Sequence, residues 1–284
     1  MPVDVERRVA EVAAEVLGPA VASSGRLEAD SLALAELTLA LEERLGVRLP
    51  DDGAFETLAD VARAVTAAST GAPGSPDRLG DGFGRLQWAA HAALRAPIRR
   101  AYRLRVVGGS NLPSSGPAVL ASNHDSLLDI PCLVVASPRP VWFMAKVELF
   151  RGPLASRLLL AGGGFPVRRG GRDLGAVRTA LEVVRRGRLL GMYPEGTRAA
   201  HLQDFLPGAA WLALATGAPL IPVGISGTAE AMPRGSRVPR RTSVTVRFGE
   251  AIDPGKEDDP RARLERARGV SEDLRSAVER LLRQ

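Results

Sequence analysis

Residues 117–136 read PAVLASNHDSLLDIPCLVVA, and the rest of the fold can be worked out from them. The short apolar run at 117–122 predicts a strand, and the second apolar stretch predicts a helix near 126–136. A strand feeding a helix across a short polar loop is one unit of an alternating α/β domain. His124 would then emerge at the strand's carboxyl end, where open α/β sheets tend to hold ligands. His124 and Asp129 stand five positions apart, about 140° around an ideal helix, so they converge only if the chain turns between them. A loop entering a helix near Asp125 or Ser126 would bring this about. A histidine steadied by a carboxylate can act as a general base, but the same two residues can also cap a helix or face solvent. Spacing alone does not separate these readings.

Downstream and just upstream, the pattern alternates. Strands are predicted near 103–107, 141–145, 164–167, 189–193, 220–225 and 243–248, and helices near 152–161, 173–187, 208–216 and 260–283. This predicts an α/β domain with a mixed, largely parallel sheet flanked by helices. The uncharged run at 205–229 is cut by Pro207, Gly208, Gly217, Pro219, Pro222 and Gly224, so it reads as turn, helix, turn and strand rather than a membrane span. Cys132 is the only cysteine and sits in DIPCLVV, which predicts a core position and excludes an intrachain disulfide. With no signal-peptide pattern at the start, this suggests a reducing, cytoplasmic setting. His91 and His201 lack metal-ligand spacing and are expected at the surface, with no metal site. Gly162–Gly164 lacks the Lys-Ser/Thr ending of a phosphate loop.

Upstream the chemistry changes. Residues 1–70 carry 13 acidic and 6 basic side chains, a net of −7, while the whole chain is +6. Such asymmetry predicts two modules, whose opposite charges could meet each other, anionic lipid or a phosphorylated substrate, or could simply be solvated. Nucleic acid is not an expected partner. Val5, Val9, Val12 and Val16 make one helical face that ends at Gly18-Pro19. A second helix is predicted from Ser31 to Leu45, with Leu34, Leu37, Leu41 and Leu45 inward and Glu36, Glu42 and Glu43 outward. A short segment around Asp51 to Phe55 and a helix marked by Leu58, Val61, Ala62 and Val65 complete a small bundle. Residues 69–82, STGAPGSPDRLGDG, read as a flexible linker. The expected division is therefore 1–68, 69–82 and 83–284. The helix predicted over 83–96 carries Leu86, Ala90, Ala93 and Leu94 with Trp88 and several arginines, fitting either a membrane interface or packing on its own domain.

Two resemblances sharpen this reading. The string ADSLALAELTLALEERLGVRLPDD at 29–52 resembles acyl carrier proteins, in which the serine of an Asp-Ser-Leu motif carries 4′-phosphopantetheine. Ser31 matches that serine, and a phosphodiester there would suit the positive end of a helix, although Ser31 or Asp30 could equally be only an N-cap. The loop ahead of Ser31 is shorter than usual, and Glu28 stands where a glycine is common. NHDSLLD at 123–129, GGGFPVR at 162–168, YPEGTR at 193–198 and PLIPVGI at 219–225 occur in the order that resembles the 1-acyl-glycerol-3-phosphate type of glycerolipid acyltransferase. MAKVEL at 144–149 fits as well, while Tyr193 replaces a frequent Phe and Arg169 follows Arg168.

The second resemblance implies His124 as general base and Asp129 as its orienting partner, acting on the thioester of an acyl-ACP or acyl-CoA donor. It implies that Arg168 and Arg198 hold an anionic group of a lysolipid acceptor such as lysophosphatidic acid, the planar guanidinium fork being suited to phosphate. Glu195 and Thr197 would order their loop, and Gly196 would let backbone N–H groups approach a developing oxyanion. The carrier resemblance implies modification of Ser31 by a phosphopantetheinyl transferase and delivery of the donor in cis. Peripheral contact with the inner face of the cell membrane is expected. Two other expectations remain: a carrier or scaffold serving other enzymes, or the same chemistry on an amino-acid lipid or specialised-metabolite hydroxyl.

Overall fold

The computed structural model describes residues 2–24, 27, 31–51, 55–68, 85–168, 173–199, 201–236 and 238–284. The predicted linker 69–82 lies outside the described residues, as do Glu28, Asp30 and Asp52.

The amino-terminal module is helical. Helices α1 (Pro2–Leu17), α2 (Pro19–Ser24), α3 (Ser31–Leu45) and α4 (Leu58–Ala68) enclose Val9, Val12, Val16, Leu34, Leu37, Leu41, Val61 and Val65. These include most of the residues that the 3.6-residue period placed inward. Gly18 takes φ 96°, a conformation few other residues adopt, and the chain re-enters a short helix at Pro19 instead of leaving helical structure.

The larger module is a seven-stranded sheet in the order β1-β7-β6-β2-β5-β3-β4. The strands are β1 (Arg105–Val107), β2 (Ala118–Ser122), β3 (Val141–Lys146), β4 (Gly164–Val167), β5 (Leu189–Met192), β6 (Leu220–Ser226) and β7 (Thr245–Phe248). All neighbours are parallel except β6 and β7. Side chains alternate across β2. Val119 and Ala121 face a layer made by α8 (Leu174–Arg185), α9 (Gly208–Thr216) and α11 (Pro260–Leu282). Ala118 and Leu120 face a layer containing α5 (Arg85–Ala101) and α6 (Asp129–Ala136). Helices α7 (Pro153–Ala161) and α10 (Thr228–Ala231) flank the sheet. Burial of β2 on both faces explains why AVLAS has no polar alternation.

Three expectations need correction. Glu36, expected outward on α3, is 1% exposed: it accepts from Trp211 Nε1 of α9 and from the Arg263 guanidinium of α11, whose Nε lies 3.1 Å away. The helical period of an isolated bundle could not reveal this, because the face is covered by the other module. His91, expected at the surface, is buried, and its Nε2 donates to Val134 O at 2.9 Å. That carbonyl belongs to the last turn of α6, where the helix offers it no partner of its own. Finally, α5 runs five residues beyond the predicted end, through Pro97; its His91, Ile98 and Ala101 pack on the domain, while Trp88 and Leu94 stay about half exposed.

The modules meet along α3. Leu174 of α8 is buried in the helical module's core, and its N–H donates to Asp51 O at 3.0 Å. Burying one leucine in this way contributes about 2 kcal/mol. Arg178, one turn further along α8, donates to Glu42, Asp51 and Leu49 O. The acidic and basic modules thus satisfy each other's charges in part.

Candidate active site

The polar loops at the carboxyl end of the parallel strands hold every residue that the sequence nominated in the larger module. β2 leads through Asn123 to His124, β5 leads to Tyr193–Arg198, and β4 leads to Arg168. Strand pairing sets their relation, since Ala121 is level with Met192 in the β2–β5 ladder and with Pro222 in the β2–β6 ladder.

His124 is 3% exposed and Asp129 0%. The predicted turn exists, but the helix begins later than expected, at Asp129 itself. The loop closes because one carboxylate oxygen gathers three donors: Asp129 Oδ2 accepts from Asp125 N and Ser126 N, both at 2.8 Å, and lies 2.8 Å from His124 Nδ1. A carboxylate can only accept there, so Nδ1 carries the proton and Nε2 is left as the basic nitrogen. Negative charge at this distance also stabilises the imidazolium that forms when Nε2 takes a proton.

Glu195 joins two loops. Its Oε1 accepts from His124 N at 2.7 Å and its Oε2 from Gln203 N at 3.0 Å, while Ala199 N donates to His124 O at 2.9 Å. Burial raises the Glu195 carboxyl above its ordinary value. Asp125, squeezed by burial and by the charges of Asp129 and Glu195, is pushed up to about 6.

The other nominated residues sit at the same end without joining this cluster. Arg168, Gly196, Thr197 and Arg198 are exposed. Arg168 N donates to Asp173 Oδ2 at 2.8 Å, and Arg198 O accepts from the Arg234 guanidinium. Gly196 takes φ 68°, and its own N–H closes a turn onto Tyr193 O at 3.0 Å, so that donor is already engaged. Ser31 lies in the other module, exposed at the start of α3. Among the described residues no cluster of three His, Cys, Asp or Glu side chains could hold a metal ion.

Two site residues escaped the sequence reading. Asn123 replaces strand pairing where β2 ends: its Oδ1 accepts from Ile225 N at 2.8 Å and its Nδ2 donates to Ile225 O at 2.9 Å. Tyr193 stacks on the His124 ring, with centroids 4.2 Å apart. An amide directly after an apolar strand was a usable sign of the first. Nothing local signalled the second, because the stack depends on β2 and β5 being neighbours.

Fold and site together define a two-module chain, an α/β domain with a buried His-Asp pair at the carboxyl end of its sheet behind a helical bundle. Residues 103–226 match the Acyltransferase family, and residues 7–65 match the phosphopantetheine attachment site family. The chain therefore carries an acyltransferase-family domain preceded by a phosphopantetheine-binding domain. It is similar to a chloroplastic 1-acyl-sn-glycerol-3-phosphate acyltransferase of Brassica napus, 34% identical over 48% of this chain and 40% of that protein. The 1-acyl-sn-glycerol-3-phosphate acyltransferase of Bacillus subtilis is 30% identical over 44% of this chain and 63% of its own length. The chain spans about half the length of the curated relatives it matches. The crystal structure of the 1-acyl-sn-glycerophosphate acyltransferase PlsC from Thermotoga maritima shares the fold, with a TM-score of 0.51 at 21% identity, covering 87% of this chain and 95% of that one.

Proposed function

We propose that this protein is an O-acyltransferase that moves a fatty acyl group from an acyl-ACP or acyl-CoA thioester to a hydroxyl of lysophosphatidic acid or a related lysolipid. The buried His124–Asp129 pair, with Nε2 as its basic nitrogen, is the observation that carries this reading. His124 Nε2 removes the acceptor's hydroxyl proton as that oxygen attacks the thioester carbonyl. The tetrahedral intermediate collapses, the C–S bond breaks, and the imidazolium returns its proton to the leaving thiolate. No acyl-enzyme is required. Arg168 and Arg198, exposed on flanking loops, hold the acceptor's phosphate. Glu195 and Thr197 order the loop after β5, and Gly196 gives it the tight turn that keeps its backbone close to the reacting carbonyl.

In the same reading, residues 1–68 form the carrier domain, 69–82 a linker and 83–284 the acyltransferase domain, and Ser31 receives 4′-phosphopantetheine from a phosphopantetheinyl transferase. The protein works in the cytoplasm at the inner face of the cell membrane. Exposed Leu154 and Leu158 on α7, 70% and 65% exposed, support membrane contact together with Trp88 and Leu94 on α5. Among the described residues no helix is long and apolar enough to cross a membrane.

Purified protein incubated with an acyl thioester and lysophosphatidic acid should yield the diacyl product by mass spectrometry, and His124→Ala should fall to background. Full activity of that variant would refute the base. A panel of lysolipid, amino-acid lipid and metabolite acceptors assigns the hydroxyl.

A further inference from the structure

Between the two modules lies a cleft of about 310 Å³. Ser31 and Leu32 of α3 form one wall; Met144 of β3, Val177 of α8, Met192 of β5 and Leu206 form the other. Arg168 also lines it. The lining is mainly apolar. Met144 and Met192 lie at or near the carboxyl ends of parallel strands, and Arg168 follows β4, so the cleft opens at the same end of the sheet as His124. Met192 and Met144 pack on the α8–α9 side of the sheet, while the following Tyr193, whose ring stacks on His124, packs on the other side, so the cleft and the imidazole approach each other around the strand ends. Leu206 N donates to Pro194 O at 2.9 Å, so its side chain borders the turn that carries Glu195. The cleft therefore runs from Ser31 to Leu206, whose side chain borders Gly196 in the turn after Glu195.

The position of Ser31 over this cleft is fixed by charge. Glu36 is bound by Arg263 and Trp211, while Glu42 and Asp51 are bound by Arg178. These pairs anchor α3 to α8, α9 and α11, with the first turn of α3 against the cleft. Acidic side chains that a free carrier would offer to other proteins are here engaged within the chain.

From this juxtaposition we infer that the cleft is the seat of the pantetheine thioester arm attached to Ser31, lodging it between the modules with its thioester end toward His124. The inference rests on the proposed modification of Ser31. The occupant follows from the walls: one of them contains the attachment serine, and apolar side chains suit the methylene and dimethyl groups of the arm better than they suit a phosphorylated headgroup. Arg168, at the strand end, is placed to meet an anion where the arm and the acceptor come together.

The test measures how fast the arm's terminal thiol reacts with a bulky maleimide. Full-length protein is treated with a phosphopantetheinyl transferase and coenzyme A, and attachment is read by intact mass against Ser31→Ala. The thiol of the modified protein should react about tenfold more slowly than free pantetheine, as expected when the seated state dominates. Val177→Trp and Leu32→Trp, which fill the cleft from opposite walls, should each restore the fast rate in protein whose circular dichroism is unchanged. His124→Ala, which removes turnover under the proposed function, should keep the protection. A thiol as reactive as free pantetheine in the parent protein, or protection that survives both filling variants, overturns the inference while leaving the catalytic reading intact. Absence of any mass gain on Ser31 overturns it together with the modification.

Discussion

The ring of Tyr193 stacks on the imidazole of His124, 4.2 Å between centroids and 27° between planes. The ring limits His124 to small rotations while Asp129 fixes its tautomer, so one contact sets position and the other sets protonation. Burial raises the Tyr193 phenol well above its ordinary value, and its oxygen has no hydrogen-bond partner among the described residues. Phenylalanine would keep the stack and remove an unmet polar group. Tyr193→Phe should therefore raise stability by about 1 kcal/mol. Tyr193→Ala should lower it by about 3 kcal/mol, because it leaves a void beside the imidazole. Thermal unfolding of the two variants checks both signs.

Asp129 has two duties that substitution can separate. Its Oδ2 organises the backbone of the loop through Asp125 N and Ser126 N as well as holding His124. Asn at 129 can still accept the backbone bonds through its amide oxygen, but its NH₂ group facing Nδ1 would favour the wrong imidazole tautomer. Asp129→Asn should accordingly fold normally and lose about ten-thousandfold in kcat with little change in KM. Asp129→Ala should lose the same activity and also unfold at lower temperature. Wild-type kcat in Asp129→Asn would remove Asp129 from the mechanism.

The sequence made the sheet and the nominated residues legible to different degrees. Strand and helix positions in the larger module followed from apolar runs and Gly/Pro punctuation, and β4 and α9 have their predicted bounds. The family resemblance, not the spacing, pointed to His124 and Asp129 as a pair, and neither showed how they meet: three donors on one carboxylate oxygen is a loop geometry with no periodic signature. What remained illegible was everything set by long-range contact. Glu36 has the spacing of a surface residue and is buried because another module covers it, and Tyr193 looks like an ordinary residue after a strand until β5 lies beside β2. His91 was misplaced for the same reason, its partner being a helix carbonyl 43 residues away in sequence.

Asp125 makes stability depend on pH in a defined direction. Its carboxyl ordinarily titrates near 3.8 and is pushed up to about 6 in the folded protein, chiefly by burial and then by Asp129 and Glu195. Between those values the folded state binds more protons than the unfolded state, so this group's contribution to stability falls as pH rises through the window and is flat above it. Glu195, also raised, acts in the same sense. Asp125→Asn cannot ionise, so its stability relative to the parent should increase from about pH 4 to about pH 6 and then stay constant. Urea midpoints for both proteins across that range give the answer, and a difference that does not change with pH would rule out Asp125 as the source.

Arg178 should be the strongest single tie between the modules. Its side chain is 10% exposed, its Nε lies 3.2 Å from Glu42 Oε2, its Nη2 lies 3.1 Å from Leu49 O, and Asp51 takes a further bond. Removing it leaves Glu42 largely buried without its counter-ion, which typically costs about 3 kcal/mol or more. Arg178→Ala should therefore destabilise the protein by that amount and increase hydrogen exchange along α3. Adding Glu42→Gln removes the stranded charge, so the double variant should recover part of the loss, and the cycle should give a coupling above about 1 kcal/mol. Trp211 reports the event optically, because its indole N–H is bonded to Glu36 of α3, and separation of the modules would expose it to water. If Arg178→Ala leaves both α3 exchange and Trp211 emission unchanged, the apolar contacts of Leu174 and its neighbours, rather than the ion pairs, hold the carrier in place.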